Sequence, residues 1–116
     1  MIKRNGTYEK IIKKEMRGGD GEVMIEKFWD PETELKGNNR LCAKLSLEPG
    51  SSIGFHHHNN EEEVFVILKG VAEVDDNGTV DTLYPGDTIL TGDGAGHSLK
   101  SIGNETLEVM AVIACY

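Results

Sequence analysis

Short alternating segments, each closed by a turn signal, constrain this chain more than any other feature. Leu41, Ala43, Leu45 and Leu47 alternate with Cys42, Lys44 and Ser46, the two-residue period of a half-buried strand. Glu48-Pro49-Gly50 ends that run. Residues 63–68 are apolar on both parities, which predicts a strand covered on both faces, by a second sheet and by a subunit partner. Gly70 stops it. A short strand over 71–74 leads into Asp75-Asp76-Asn77-Gly78, a hairpin turn, because Asn-Gly accepts positive φ. Val80, Thr82 and Tyr84 continue on the return strand. Tyr84-Pro85-Gly86-Asp87 turns again. After a short strand over 88–91, residues 92–96 (GDGAG) read as a flexible loop, and His97, Leu99 and Ser101 resume the alternation. A last strand covers 107–114. Strands this short, punctuated by 14 glycines, predict an all-β sandwich or barrel.

The N-terminal third is read differently. Tyr8, Ile11, Ile12 and Met16 are spaced as one face of a short helix. Arg17-Gly18-Gly19-Asp20-Gly21 would end it, a strand would follow over 23–29, and Asp30-Pro31 would open a loop.

At 116 residues one domain is expected, and a chain this small gains stability by oligomerising. The net charge of −8 argues against nucleic-acid phosphates and anionic membranes as partners. No apolar run suits a signal peptide or a membrane span, so a cytoplasmic protein is expected. Cys42 and Cys115 belong to no CxxC motif and read as free, buried thiols.

The chemistry concentrates in GFHHHNNEEEVFVILKG, residues 54–70, which holds three of the four histidines. On a strand His56 and His58 share a face, with Cα atoms about 6.5–7 Å apart, so both imidazoles can converge on one ion. His57 then points the other way, toward the surface or an interface. Asn59-Asn60 is a turn signal that would return the next strand beside the first and bring up a carboxylate. Glu61 and Glu63 share one parity and Glu62 has the other; periodicity alone does not choose among them. His97 follows a loop able to fold over the same face. Two or three imidazoles plus a carboxylate suit a divalent transition metal: Mn, Fe, Ni, Co, Cu or Zn.

Gly50-SSIGF-His56-x-His58-NNEE-Glu63-VFVILK-Gly70 resembles the first motif of the cupins. Gly86-DTILT-Gly92-x-Gly94-x-x-His97-x-x-x-Ser101 resembles the second. The resemblance implies a double-stranded β-helix, or jelly-roll barrel. A single domain would fill residues 1–116, with the barrel core at about 40–114 and residues 1–39 as a short helix or extended arm. It also implies the metal ligands His56, His58, Glu63 and His97, and a homodimer. Glu63 is selected because six residues separate it from Gly70, against seven for Glu62. The second motif departs from the family pattern at Gly92, usually Pro, and at Ser101, usually Asn. The glycine would loosen the loop before His97.

Phe65, Ile67 and Leu99 share parity with candidate ligands and are read as core or as walls of a substrate pocket. Arg40 and Tyr84 are possible substrate contacts by residue type alone. The expected function is metal-dependent chemistry on a small oxygen-rich substrate, a sugar, keto acid or hydroxy acid. Isomerisation or epimerisation, dioxygenation and decarboxylation are all compatible with it. The competing reading is a metal-binding sensor that holds a small molecule without turnover.

Overall fold

The alternation in the sequence becomes two facing antiparallel sheets. The computed structural model describes residues 1–116. Ten strands follow in order: β1 (Glu9–Lys14), β2 (Glu22–Lys27), β3 (Asn39–Leu47), β4 (Ser52–His57), β5 (Glu61–Lys69), β6 (Ala72–Asp76), β7 (Thr79–Leu83), β8 (Thr88–Gly92), β9 (Gly96–Ser101) and β10 (Leu107–Cys115). One sheet has the order β1-β2-β3-β10-β5-β8 and the other β4-β9-β6-β7. This is the jelly-roll expected from the sequence. No helix is long and apolar enough to cross a membrane.

β10 shows how pattern becomes packing. Leu107, Val109, Ala111 and Ile113 face inward and are buried, while Glu108, Met110 and Val112 face outward and are half-buried. Along β3 the buried set is Ala43, Leu45 and Leu47. With Leu107, Val109 and Ala111 they join Ile53, Val74 and Leu99 of the facing sheet in a core of 15 buried residues. Each large aliphatic chain so buried contributes about 1.5–3 kcal/mol as an upper estimate. The Asn77-Gly78 turn joins β6 and β7 as predicted. Both residues have positive φ, 49° and 102°, and Asp75 Oδ1 accepts the Gly78 N–H at 2.7 Å.

The N-terminal arm is a correction. Residues 9–14 form β1, an edge strand paired with β2, where the apolar spacing predicts a helix. Ile11 turns toward the core and Ile12 stays half-exposed, so the apolar residues split between two faces. Backbone pairing with β2 decides the conformation over the local pattern. The only helical turn is a 3-10 turn at Met16–Gly18. The arm thus adds two strands to the larger sheet.

A second difference concerns Asn59-Asn60. Asn60 adopts a left-handed conformation (φ 58°), as a turn residue can. The chain does not fold back beside β4, however. β4 pairs with β9, and β5 crosses to the opposite sheet between β10 and β8. The carboxylate therefore arrives from across the barrel.

Candidate metal centre

Four side chains meet at one end of the barrel, carried by three strands and a turn. β4 and β9 pair with His56 directly opposite His97. His58 stands just past the end of β4, where its N–H donates to the Ala95 carbonyl at 3.0 Å. Glu63 projects from β5 in the facing sheet, with Thr91 of β8 beside it in register. One ligand atom from each of His56, His58, Glu63 and His97 falls within 4.8 Å of the others. His58, Glu63 and His97 are buried, at 1%, 4% and 1% exposure, and His56 is half-buried.

Hydrogen bonds fix which nitrogen faces the centre. The His56 Nδ1–H donates to the Gly54 carbonyl at 2.8 Å. The His58 Nδ1–H donates to the Glu61 carboxylate. His97 Nδ1 lies 2.8 Å from Thr91 Oγ1. The His97 ring also stacks flat on Phe65, with centroids 4.8 Å apart and planes 8° apart. Since a carbonyl and a carboxylate only accept, the neutral rings of His56 and His58 must present lone pairs at Nε2.

The three Nε2 atoms converge. His58 Nε2 and His97 Nε2 are 3.0 Å apart, and His97 Nε2 and His56 Nε2 are 3.3 Å apart. Glu63 Oε1 lies 3.0 Å from the Nε2 of both His58 and His97. Acceptors packed this closely repel unless a proton or a cation sits among them. The donor set, three imidazoles and one carboxylate, fits a divalent transition metal.

The titration directions express the same need. The Glu63 contact raises the His58 pKa; burial opposes this, and Glu61 adds to it. Burial alone would raise the Glu63 carboxyl, but the contacts from His58 and His97 outweigh it and hold it low. Burial lowers His56, against its bond to Gly54, and the charges of His97, His58 and Arg17 lower it further.

Behind His58 lies an ion pair that the sequence reading did not assign. Arg40 donates to Glu61 through Nε and a terminal nitrogen, each at 2.9 Å. The guanidinium brings the Glu61 carboxyl down to about 2; burial opposes this and the His58 N–H assists. Glu61 thus orients His58 while Glu63 faces the centre, which separates the two glutamates that shared one parity. The clue available in sequence was Glu61 standing three residues beyond His58, across a turn. Thr91 carried no such clue.

His57 points outward, as its parity predicts. Its Nδ1–H donates to the Gly94 carbonyl at 3.0 Å. The loop before His97 is anchored where the glycines suggest looseness. Gly94 N–H donates to the His58 carbonyl, Ala95 N–H to Gly92, Gly96 N–H to Asn77 Oδ1 and Asp93 N–H to the Tyr116 hydroxyl. Gly92 is required by its neighbour, since a Cβ there would lie 2.7 Å from Glu62 Cβ. Ser101 Oγ is buried with no protein partner.

A cavity of about 190 Å³ opens over the cluster. His56, His58 and Glu63 line it together with Phe65, Leu41, Leu45, Ile53 and Ile113, while His97 lies behind its lining. Ile67 and Leu99 do not line it; they are sealed in the core at 1% and 0% exposure. Arg40 does line it, whereas Tyr84 is exposed elsewhere. A hollow of about 210 Å³ beside Trp29 is similar in size but gathers no converging acceptors, so chemistry rather than volume marks the site.

Comparison with known proteins bears on the family and the fold. The family model for the cupin domain matches residues 43–113. The oxalate-binding protein of Thermotoga maritima is 41% identical over 98 residues, which cover 84% of this chain and 80% of that protein. The crystal structure of a predicted oxalate decarboxylase from Thermotoga maritima superposes with a TM-score of 0.94 at 36% identity, over the whole of both chains. The cupin domain of an XRE-family transcriptional regulator from Enterobacter cloacae shares the fold, with a TM-score of 0.69 at 16% identity over 81% of this chain and 97% of that one. The chain belongs to the cupin domain family.

Proposed function

We propose that His56, His58, Glu63 and His97 ligate a divalent transition metal, and that the protein binds a small dicarboxylate of the oxalate class above it. The observation carrying this reading is the charge pattern of the cavity. In a chain of net charge −8, the charged side chains lining it beyond the four-residue cluster are Lys13, Arg17 and Arg40, all cations. Such a mouth attracts an anion and gives a neutral sugar little to hold. The names of the two Thermotoga maritima relatives support the same ligand class.

When bound, the metal supplies a Lewis-acid attachment point for carboxylate oxygens. The chain's own residues do the rest. Leu41, Leu45, Ile53, Phe65 and Ile113 make an apolar wall that strengthens the electrostatic grip by excluding water. Glu63 is the one carboxylate lining the cavity, and it belongs to the cluster. No second carboxylate is at hand for proton transfer, which favours binding without turnover. Decarboxylation is the second reading; Lys13, which has no ion-pair partner, is the lining group available to pass a proton.

Titrating oxalate into Mn(II)-loaded protein by calorimetry tests the proposal. Saturable 1:1 binding that is lost in His97→Ala is expected; absence of binding to the loaded wild type overturns it. Formate and carbon dioxide appearing with turnover would move the assignment from binder to decarboxylase.

Two further readings complete the proposal. Val64, Val66, Leu68, Leu90, Met110 and Val112 lie on the outer face of the larger sheet, half-buried or exposed, which supports a homodimer through that face. Light scattering at a monomer mass would exclude it. Cys42 and Cys115 are unpaired, in keeping with a cytoplasmic location.

A further inference from the structure

Resting on the anion-binding reading above, we propose that Arg17 is the residue that selects dicarboxylates over monocarboxylates. The three cations of the cavity are not equivalent. Arg40 spends both arms of its fork on Glu61, so its charge is already matched. Lys13 offers a point charge on a flexible stem from an edge strand. Arg17 makes no ion pair and carries a planar fork that fits a free carboxylate bidentately. A dicarboxylate held at the metal by one end would present its other end to that fork.

The backbone around Arg17 is held in an unusual shape. Glu15 and Arg17 are both left-handed, with φ of 47° and 55°, a conformation that strains a non-glycine residue. The turn keeps that shape because it is tied to β4. Ser52 N–H donates to the Asp20 carbonyl at 2.8 Å, and Asp20 N–H donates to Ser52 Oγ at 2.8 Å. The Arg17 carbonyl lies against Gly54 so closely that a Cβ on Gly54 would stand 2.1 Å from it. A Cβ on Gly19 would likewise stand 2.2 Å from the Ser52 carbonyl. Gly54 therefore does two things at once. Its missing side chain seats the Arg17 turn, and its carbonyl fixes the tautomer of His56. The selector and the metal cluster share one backbone residue.

The test is calorimetry of oxalate and of acetate on Mn(II)-loaded wild type, Arg17→Gln, Arg17→Lys and Lys13→Gln, with metal content measured for each. Arg17→Gln is expected to weaken oxalate by about 10- to 100-fold. It should leave acetate within about twofold and the metal content unchanged, with Arg17→Lys recovering only part of the loss. Lys13→Gln removes the same unit charge and should weaken both anions about equally and by less. Equal losses for Arg17→Gln and Lys13→Gln, or an equal loss of oxalate and acetate in Arg17→Gln, would overturn the selector role while leaving the binding function intact. A loaded wild type that binds neither anion would overturn both.

Discussion

Arg40 grips Glu61 with two hydrogen bonds of 2.9 Å, and Glu61 passes that hold to His58 by accepting its Nδ1 proton. The pair sets the orientation of a candidate ligand without touching the centre. Glu61→Gln keeps the shape but removes the charge that both Arg40 and His58 require. Metal affinity is expected to fall about 10- to 100-fold, as for other outer partners of metal-bound histidines. Competition against a coloured chelator measures it, and an unchanged affinity would show that packing alone orients His58.

The same ion pair predicts an acid limb of stability. The Glu61 pKa lies at about 2 in the folded chain against 4.5 ordinarily. A carboxyl held low stabilises the fold above its unfolded value, and that contribution is lost as pH falls through the folded value. Metal-free wild type should therefore lose stability between about pH 5 and 2, and Glu61→Gln should lose less over that window. Solvent access reduces the size of the effect. Urea melts at several pH values report it.

Metal binding should weaken toward acid for a separate reason. Ligating imidazoles must be free of protons at the atom that binds, and the His58 pKa is raised by Glu63. Loss of affinity is expected to begin above the ordinary imidazole range of about 6.5 as pH is lowered. Calorimetric metal titrations between pH 8.5 and 5.5 would show it, and a flat profile would contradict the proton-for-metal exchange.

Two glycines with nearly the same backbone should respond differently. Gly50 and Gly70 have φ of 86° and 85°. A Cβ on Gly50 meets nothing within 4 Å, whereas one on Gly70 lies 2.9 Å from both Leu107 Cα and the Thr106 carbonyl oxygen. Gly50→Ala should cost about 1–2 kcal/mol of backbone strain. Gly70→Ala should exceed that by a further 1–3 kcal/mol, because two main chains must separate. Chemical denaturation gives both values, and equal costs would mean that the strands yield freely.

Phe65 links packing to chemistry. Its ring is 1% exposed and stacked on His97. Phe65→Leu removes the stack while keeping most of the volume, at a cost of about 1–2 kcal/mol. Metal affinity should drop as His97 gains rotational freedom. Unfolding melts with and without metal separate the two effects, since binding energy adds directly to the stability of the loaded form.

Much of the centre was legible because short-range geometry controls it. The two-residue period puts His56 and His58 together and turns His57 away. Asn-Gly at 77–78 demanded its hairpin. What stayed hidden depends on partners remote in sequence. Residues 9–14 carry helical spacing, yet pairing with β2 makes them a strand. The turn at Asn59-Asn60 was visible, but nothing local says that β5 joins the opposite sheet. Arg40 and Glu61 are 21 positions apart, and no periodicity links them.

The four converging side chains come from both walls of the barrel: His56 and His97 from one sheet, Glu63 from the other, and His58 from the turn between them. Such a centre is a gauge of the gap between the sheets. A substitution deep in the core that pushes the walls apart by a few tenths of an ångström would be felt first as a mistuned coordination sphere, long before the fold itself gave way.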